Sequence, residues 1–426
     1  MLAKRYRQMT ILEKTEAAYR YLSAEEATSG QAAQVRNLLD KLKEEDVTVA
    51  VIGQFKRGKS ALSNRILGAE VLPVGIVPIT SAVTRVRYGA RSAEVRFRNG
   101  VTQQIDFSDL HTYISEQENR NNVLDVEEVL IHTESDFLKN GFTFVDTPGV
   151  GSFHKNNTVV AYDHMKESDA VIFLLSVDSP INQIEIDFLK NTRAFAAKFY
   201  FAVNKADLVS EQELQAYVEY CRGILSQLME TEDIQMFPVS ARTGEGVEAL
   251  KEAILADLSV SSHAIMEEST AKKLYDVLQN AVTQLDFYWS AMNLEYKELD
   301  ARFEKIHEAL SAVREKAAAC ESGFAVHLND YKLMLADTVK DLFGMEYHYD
   351  IDTLRAGMMD MDKQEFLAQT EALCEDLSGT LNRILLYREE NAYKVCHRIN
   401  AINRLLREMR RIQDTVFLPV EPIPAN

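Results

Sequence analysis

The sequence predicts two architectures in one chain: an α/β domain with a mostly parallel sheet and helices on both faces, attached to an elongated all-α bundle that forms a stalk. Three observations lead there. From Val47 onward, β-branched apolar runs (VTVAVIG, FTFVDTPG, AVIFLLSV, KFYFAVNKAD, MFPVSAR) alternate with amphipathic stretches such as SNRILG, the pattern of strands covered on both faces. After about Ser262 the strand signals stop. From Leu285 to Ala317 apolar residues then recur at alternating four and three positions, the spacing of a coiled-coil or bundle seam.

Residues 1–45 carry Tyr19, Leu22, Leu38, Leu39 and Leu42 at helical spacing. They read as two helices, separated at Gly30, that join the stalk bundle. The α/β domain spans 46–260. Within it, EVRFRNGVTQQIDF reads as two alternating segments joined at Asn99-Gly100, a type I′ hairpin at a sheet edge or insertion. The stalk covers 261–418. A single helix from Ala271 to Ala319 would be about 70 Å long and would project from the domain. A second apolar series, from Phe366 to Ile412, returns toward a Pro-rich tail at 419–426. Between them Gly323 and Gly344 accompany Phe324, Phe343, Met345, Tyr347 and Tyr349, which read either as corner packing or as a membrane- or partner-binding tip. Arg383, Arg388, Lys394, Arg398, Arg404, Arg407, Arg410 and Arg411 concentrate positive charge toward the end of the stalk. They are expected to pair with Asp286, Glu295, Glu298, Asp300, Glu304 and Glu308 on a facing helix, or else to meet anionic lipid or another subunit.

Composition narrows the partners. The 426 residues include 47 Lys+Arg against 65 Asp+Glu, a formal charge of −18. Such acidity opposes delocalised attraction to polyanions, so no nucleic-acid partner is expected and lipid contact requires a local basic patch. A hydrophobic fraction of 46% with Gly 17 and Pro 8 excludes disordered and collagen-like chains. Cys221, Cys320, Cys374 and Cys396 are widely spaced and read as buried thiols of a reducing compartment. The start lacks an apolar signal region, and no uncharged stretch reaches the roughly 18 residues that span a bilayer. A cytoplasmic protein is expected, with any membrane contact peripheral, at the inner face of the cell membrane.

The motifs carry the chemistry. Strand VTVAVI leads into Gly53-Gln54-Phe55-Lys56-Arg57-Gly58-Lys59-Ser60 and a helix from Ala61, a P-loop in its required context. Backbone N–H groups of this stretch curl around phosphate oxygens and the helix N-terminus adds its dipole. Lys59 neutralises the β and γ phosphates, and the Ser60 hydroxyl ligates Mg²⁺. In FTFVDTPG, Asp146 closes an apolar strand where its carboxylate can hold Mg²⁺ through water, with the Gly149 N–H near the γ-phosphate. Asn204-Lys205-Ala206-Asp207 identifies the base. The Asp207 carboxylate accepts from guanine N1–H and the exocyclic amine, an arrangement adenine lacks. Asn204 would brace the loops and the Lys205 stem would lie along the base. Backbone N–H groups of Ser240-Ala241-Arg242 are placed for guanine O6. These motifs together describe a P-loop GTPase domain that binds GTP and GDP with Mg²⁺. A switch threonine for Mg²⁺ and the γ-phosphate is expected before Asp146. Thr80 in LPVGIVPIT is the candidate, with Thr84 and Thr102 competing on composition.

GQFKRGKSALSNRILG, LPVGIVPITSAVTRVRYG, DTPGVG, NKAD and VSAR resemble the GTPase domain of bacterial dynamin-like proteins, a dynamin-superfamily branch close to mitofusins, over about residues 47–257. The resemblance implies that Thr80 is the switch threonine. It also implies a large GTPase that binds nucleotide weakly, dimerises through its nucleotide faces to speed hydrolysis, and moves a stalk in membrane remodelling or maintenance. The partner would be a second copy or a second dynamin-like chain. Two positions depart from the pattern: Phe55 stands where dynamin carries a catalytic Gln, and Val150 where small GTPases place a water-positioning Gln. Lys56 and Arg57 are therefore candidates for a cis-acting cation on the β–γ bridge oxygen, the alternative being contact with a partner domain or solvent. A competing reading is a slow GTP-dependent switch or scaffold that recruits a protein through its helices. A role in ribosome assembly lacks an RNA-binding module.

Overall fold

The computed structural model describes residues 6–74, 83–115, 118–119, 122–150, 155–349 and 361–420. The chain divides into one unit of Glu44–Lys272 and a second of Met1–Lys43 with Lys273–Asn426. The division therefore falls at 44 and 272, not at 46 and 260.

Ahead of the sheet lie α1 (Ile11–Leu22), opened by a capping box between Thr10 and Glu13, and α2 (Ser29–Glu44). Gly30 lies inside α2 and does not separate the helices. A 3-10 turn does, where Thr28 Oγ1 donates to the Leu22 carbonyl at 2.7 Å.

In the α/β unit, β1 (Thr48–Gly53), β2 (Val83–Tyr88), β3 (Ser92–Phe97), β4 (Thr102–Ile105), β5 (Val126–Thr133), β6 (Thr143–Asp146), β7 (Ala170–Ser176), β8 (Lys198–Asn204) and β9 (Met236–Pro238) form one sheet. The order is β4-β3-β5-β2-β6-β1-β7-β8-β9. Pairing is parallel from β6 through β9 and between β2 and β5. It is antiparallel at β2–β6, β3–β5 and β3–β4, so the sheet is mixed. Every residue of β1 and β7 is buried. Because alternate side chains leave a strand on opposite sides, both faces of the sheet are covered there. The β3–β4 hairpin sits at the sheet edge, but its turn is not type I′. Gly100 alone has positive φ, and Phe97 N–H donates to the Val101 carbonyl around a three-residue loop, Arg98 to Gly100.

The longer helices of this unit are α3 (Lys59–Leu67), α4 (Lys155–Glu167), α5 (Gln183–Thr192), α6 (Glu211–Met229) and the first part of α7 (Val247–Asn293), whose backbone is non-helical at Ser261. Strand β1 has parallel neighbours on each side, β6 and β7. Their carboxyl ends bound the crevice where open α/β sheets bind ligands.

The helical unit adds α8 (Tyr296–Ala319), α9 (Phe324–Phe343), α10 (Lys363–Glu389) and α11 (Ala392–Gln413). The single helix expected from Ala271 to Ala319 is broken. Glu295 takes an extended N-cap conformation, and Arg388 donates to the Met292 and Leu294 carbonyls, each at 2.9 Å. The return series is likewise divided, with Asn391 capping α11. The α8 seam of Leu299, Phe303, Ile306, Leu310, Val313 and Ala317 is buried, and α8 packs on α9 and α10. Phe343 and Tyr347 pack on Phe287 with ring centroids 5.1 and 5.2 Å apart, and Tyr349 is buried beside Tyr347. These aromatics are core and do not form a binding tip.

The expected pairing of arginines with a facing helix is realised at Arg410–Asp286, 2.5 Å apart. Elsewhere Arg383 donates to Tyr288 Oη, Arg398 pairs with Glu390, and Arg411 pairs with Glu408. For the α11 residues the reason is placement: α8 carries the acids from Glu298 to Glu308, while α11 packs on α1 and α10; Arg383, on α10, is taken up by Tyr288 of α7 instead. Cys221 and Cys374 are buried as expected of thiols, but Cys396 is exposed. Among the described residues no helix is long and apolar enough to cross a membrane.

Candidate active site

The phosphate loop leaves β1 at Gly53 and enters α3 at Lys59. Gly58 has φ +91°, and a Cβ there would lie 2.5 Å from Asn204 Nδ2. Glycine is needed both for the left-handed turn and for the approach of the base loop. Lys59 is buried and donates through Nζ to the carbonyls of Gly53 at 3.1 Å and Gln54 at 3.4 Å. Burial draws its pKa down to about 8, while the Asp146 and Glu185 charges act in the opposite direction. Its hydrogen bonds go to neutral carbonyls, so phosphate oxygens would supply the charge-assisted partners it lacks.

Asp146 ends β6, nearly fully buried, and accepts from Ser60 Oγ at 2.8 Å and Ser63 Oγ at 3.2 Å. Burial pushes its carboxyl pKa up, opposed by Lys59 and the two hydroxyls. A hydroxyl and a carboxylate side by side are the hard oxygen donors Mg²⁺ takes, with phosphates and water completing the octahedron. The residues fit that ion. Among the described residues no three His, Cys, Asp or Glu gather as a cage.

The segment after Asp146 is laced to the phosphate loop. Phe55 N–H donates to the Val150 carbonyl and Val150 N–H to the Gly53 carbonyl, both at 3.2 Å. This pairing lays Gly149 on the loop. A Cβ at Gly149 would lie 2.8 Å from Phe55 Cα and 3.0 Å from Lys59 Nζ. Val150 is fully buried, so it fills space under the loop and has no means of orienting water.

On the base side, Asn204 braces two loops: its Nδ2 donates to the Arg57 carbonyl at 2.8 Å, and its Oδ1 accepts from Ala241 N–H at 3.0 Å. Lys205 Nζ donates to the Lys56 carbonyl at 3.0 Å and to Asp178 at 2.5 Å. Asp207 accepts from Ser240 Oγ at 2.5 Å on one oxygen and from Arg242 Nε at 2.9 Å on the other. The Ser240 hydrogen bond and then Arg242 hold its carboxyl below the usual range. Arg65 of α3 donates to the Ala241 and Arg242 carbonyls, which ties this loop to the phosphate-binding helix.

The crevice thus gathers Gly53 to Ala61, Asp146, Gly149, Asn204, Lys205, Asp207 and Ser240 to Arg242. Arg57 is the correction. Its guanidinium is 2% exposed and turned away into the protein, against Glu185, and is unable to act as a cation on the reacting phosphate. Ala241 N–H, expected at guanine O6, is engaged by Asn204. Thr80 lies outside the described residues. Of its competitors, Thr84 is buried within β2 and Thr102 lies on the edge strand β4. Sequence reasoning missed Asp178, Ser179, Asn182 and Glu185. The Asn182-x-x-Glu185 capping box was a legible signal for a helix start, but not for contact with the phosphate loop.

A Dynamin family model matches residues 49–207. An uncharacterized protein in the xynA 3′ region of Caldicellulosiruptor sp. (strain Rt8B.4) is 32% identical over 309 residues, 69% of this chain and 77% of that protein. Dynamin-like protein 2 of Campylobacter jejuni is 24% identical over 324 residues, 70% of this chain and 51% of its own length. The chain therefore spans about half of that relative. A solved structure described as an oligomerised bacterial dynamin pair for long-range sensing and tethering of membranes matches with a TM-score of 0.55 over 95% of this chain and 94% of that one. At 13% identity this is a likeness of fold.

Proposed function

From the premise that this chain belongs to the dynamin family and so is a GTPase, we propose that it hydrolyses GTP to GDP and phosphate faster when two GTPase domains meet through their nucleotide faces. We further propose that its helical unit turns that cycle into movement at a membrane. The observation that carries the nucleotide reading is the placement of Lys59, Ser60 and Asp146 at one end of a crevice and Asp207 at the other, with Asn204 bracing both sides.

In this reading Asp207 selects guanine and the amides of the loop cradle the phosphates. Ser60, Asp146 and Thr80 would hold Mg²⁺, which when bound neutralises charge on the β and γ oxygens. Lys59 adds its own charge there. Phe55 and Val150 supply no water-positioning group, so the missing function is expected from a partner domain, a second copy or a second dynamin-like chain. Lys56 remains the candidate cation. It is exposed at the crest of the loop, with its Nζ 5.4 Å from the centre of the Phe55 ring.

Lys56→Ala is expected to keep its affinity for labelled GDP and lose roughly tenfold to a hundredfold in kcat. Unchanged kcat would remove Lys56 from the mechanism. The dimer proposal is tested by turnover against protein concentration, with and without anionic vesicles. Specific activity that climbs with concentration supports self-association, whereas a flat, very low rate favours the switch or scaffold. Stimulation by vesicles would support peripheral action at the inner face of the cell membrane. The exposed Lys394, Arg404 and Arg407 of α11, with Tyr393 next to Lys394 and 80% exposed, favour an anionic surface.

A further inference from the structure

Arg57 belongs to the phosphate loop in sequence, yet its side chain serves a different segment. Nε donates to Glu185 Oε1 at 3.1 Å and Nη2 to Glu185 Oε2 at 2.9 Å, a bidentate fork. Nη1 reaches the Ser176 carbonyl at 3.2 Å and both the carbonyl and hydroxyl of Ser179, at 2.7 and 2.6 Å. Nη2 also donates to the Pro180 carbonyl at 3.1 Å. Glu185 is completely buried and at the same time closes the capping box of α5, accepting from Asn182 N–H at 3.1 Å. Asn182 in turn donates to the Gln54 side chain at 2.7 Å. The same segment holds the base loop, because Asp178 takes Lys205 Nζ and Val177 N–H donates to the Asn204 carbonyl at 3.2 Å.

Between these anchors sits Lys56, with φ +66°. A side-chain-bearing residue in that region persists only where its surroundings over-determine it. The surroundings are the Lys205 amine on the Lys56 carbonyl, the Asn204 amide on the Arg57 carbonyl, and the Arg57 fork itself.

We propose that Arg57, anchored on Glu185, is a positioning residue for nucleotide binding: it sets the crest of the phosphate loop from behind and links it through residues 176–182 to the base-recognition loop. A lysine would not reproduce this, because an ammonium has no planar fork to span Glu185 and the carbonyls together. The inference rests on the reading that the loop Gly53–Ser60 takes nucleotide phosphates. It differs from a catalytic role in what it predicts. The crest contributes to GDP and GTP through the β-phosphate, and contributes little to GMP.

The test measures GDP and GMP binding by competition against labelled GDP, for the native chain, Arg57→Lys and the double variant Arg57→Met with Glu185→Leu. The double variant removes both charges together, so that neither is left buried and unpaired. Circular dichroism and a melting curve report folding. Both variants are expected to bind GDP about tenfold or more weakly with GMP little changed, so that the GDP-over-GMP preference narrows. A purely structural role would alter melting and leave that preference alone. An unchanged preference in both variants, whether or not kcat falls, overturns the proposal. Failure of the native chain to bind any guanine nucleotide overturns the phosphate reading along with it, so the two failures are distinguishable.

Discussion

Asp207→Asn is expected to weaken GTP binding roughly a thousandfold and to confer binding of xanthosine triphosphate. Each oxygen of Asp207 already has a donor in place, Ser240 Oγ on one and Arg242 on the other. Before a base arrives, Ser240 orients the carboxylate and Arg242 occupies the oxygen that it must yield to the base. Guanine then presents two donors, its N1–H and exocyclic amine, to two acceptors. An asparagine amide keeps one acceptor and turns an N–H₂ toward the guanine amine, donor against donor, which leaves polar groups unpaired on both sides. Xanthine has a carbonyl where guanine has the amine and restores the match. Titration of labelled GTP and xanthosine triphosphate against both proteins measures the exchange. Retained guanine preference in the variant would place the base somewhere other than this loop.

Lys59→Met should lower single-turnover hydrolysis on the order of a hundredfold to a thousandfold and weaken GTP binding as well. Methionine keeps most of the stem's packing, so the effect isolates the charge. The amine is held by the Gly53 and Gln54 carbonyls at the mouth of the loop, and its depressed pKa, about 8, expresses how little solvent surrounds it. A charge in so poorly hydrated a place interacts strongly with developing negative charge. Native rates in the variant would exclude Lys59 from transition-state stabilisation.

Two positions of the candidate site are legible in the sequence as strand ends because each terminates an apolar run. Asp146 closes FTFV and Asn204 closes KFYFAV, and a buried parallel strand places its carboxyl end at the ligand crevice. What was not readable depended on distance or on backbone. Arg57 and Glu185 are 128 positions apart, and no local pattern distinguishes an arginine facing phosphate from one buried behind the loop. The break at Leu294 was hidden because Met292, Tyr296 and Leu299 continue the four-three spacing across it. The seam records which side chains are buried, and it is blind to whether the peptide between them stays helical. At Asn99-Gly100 the dipeptide announced a turn correctly, but the pairing of Phe97 with Val101 decides the loop length.

The cation resting on Asp207 has a consequence for the GTPase cycle. Arg242 is 74% exposed on its side chain while its partner is 10% exposed, so the purine edge reaches its acceptor by evicting a tethered occupant that remains close by. Recognition there is a swap of donors, so its net gain is smaller than the number of bonds suggests. When product leaves, the guanidinium returns and opposes immediate rebinding.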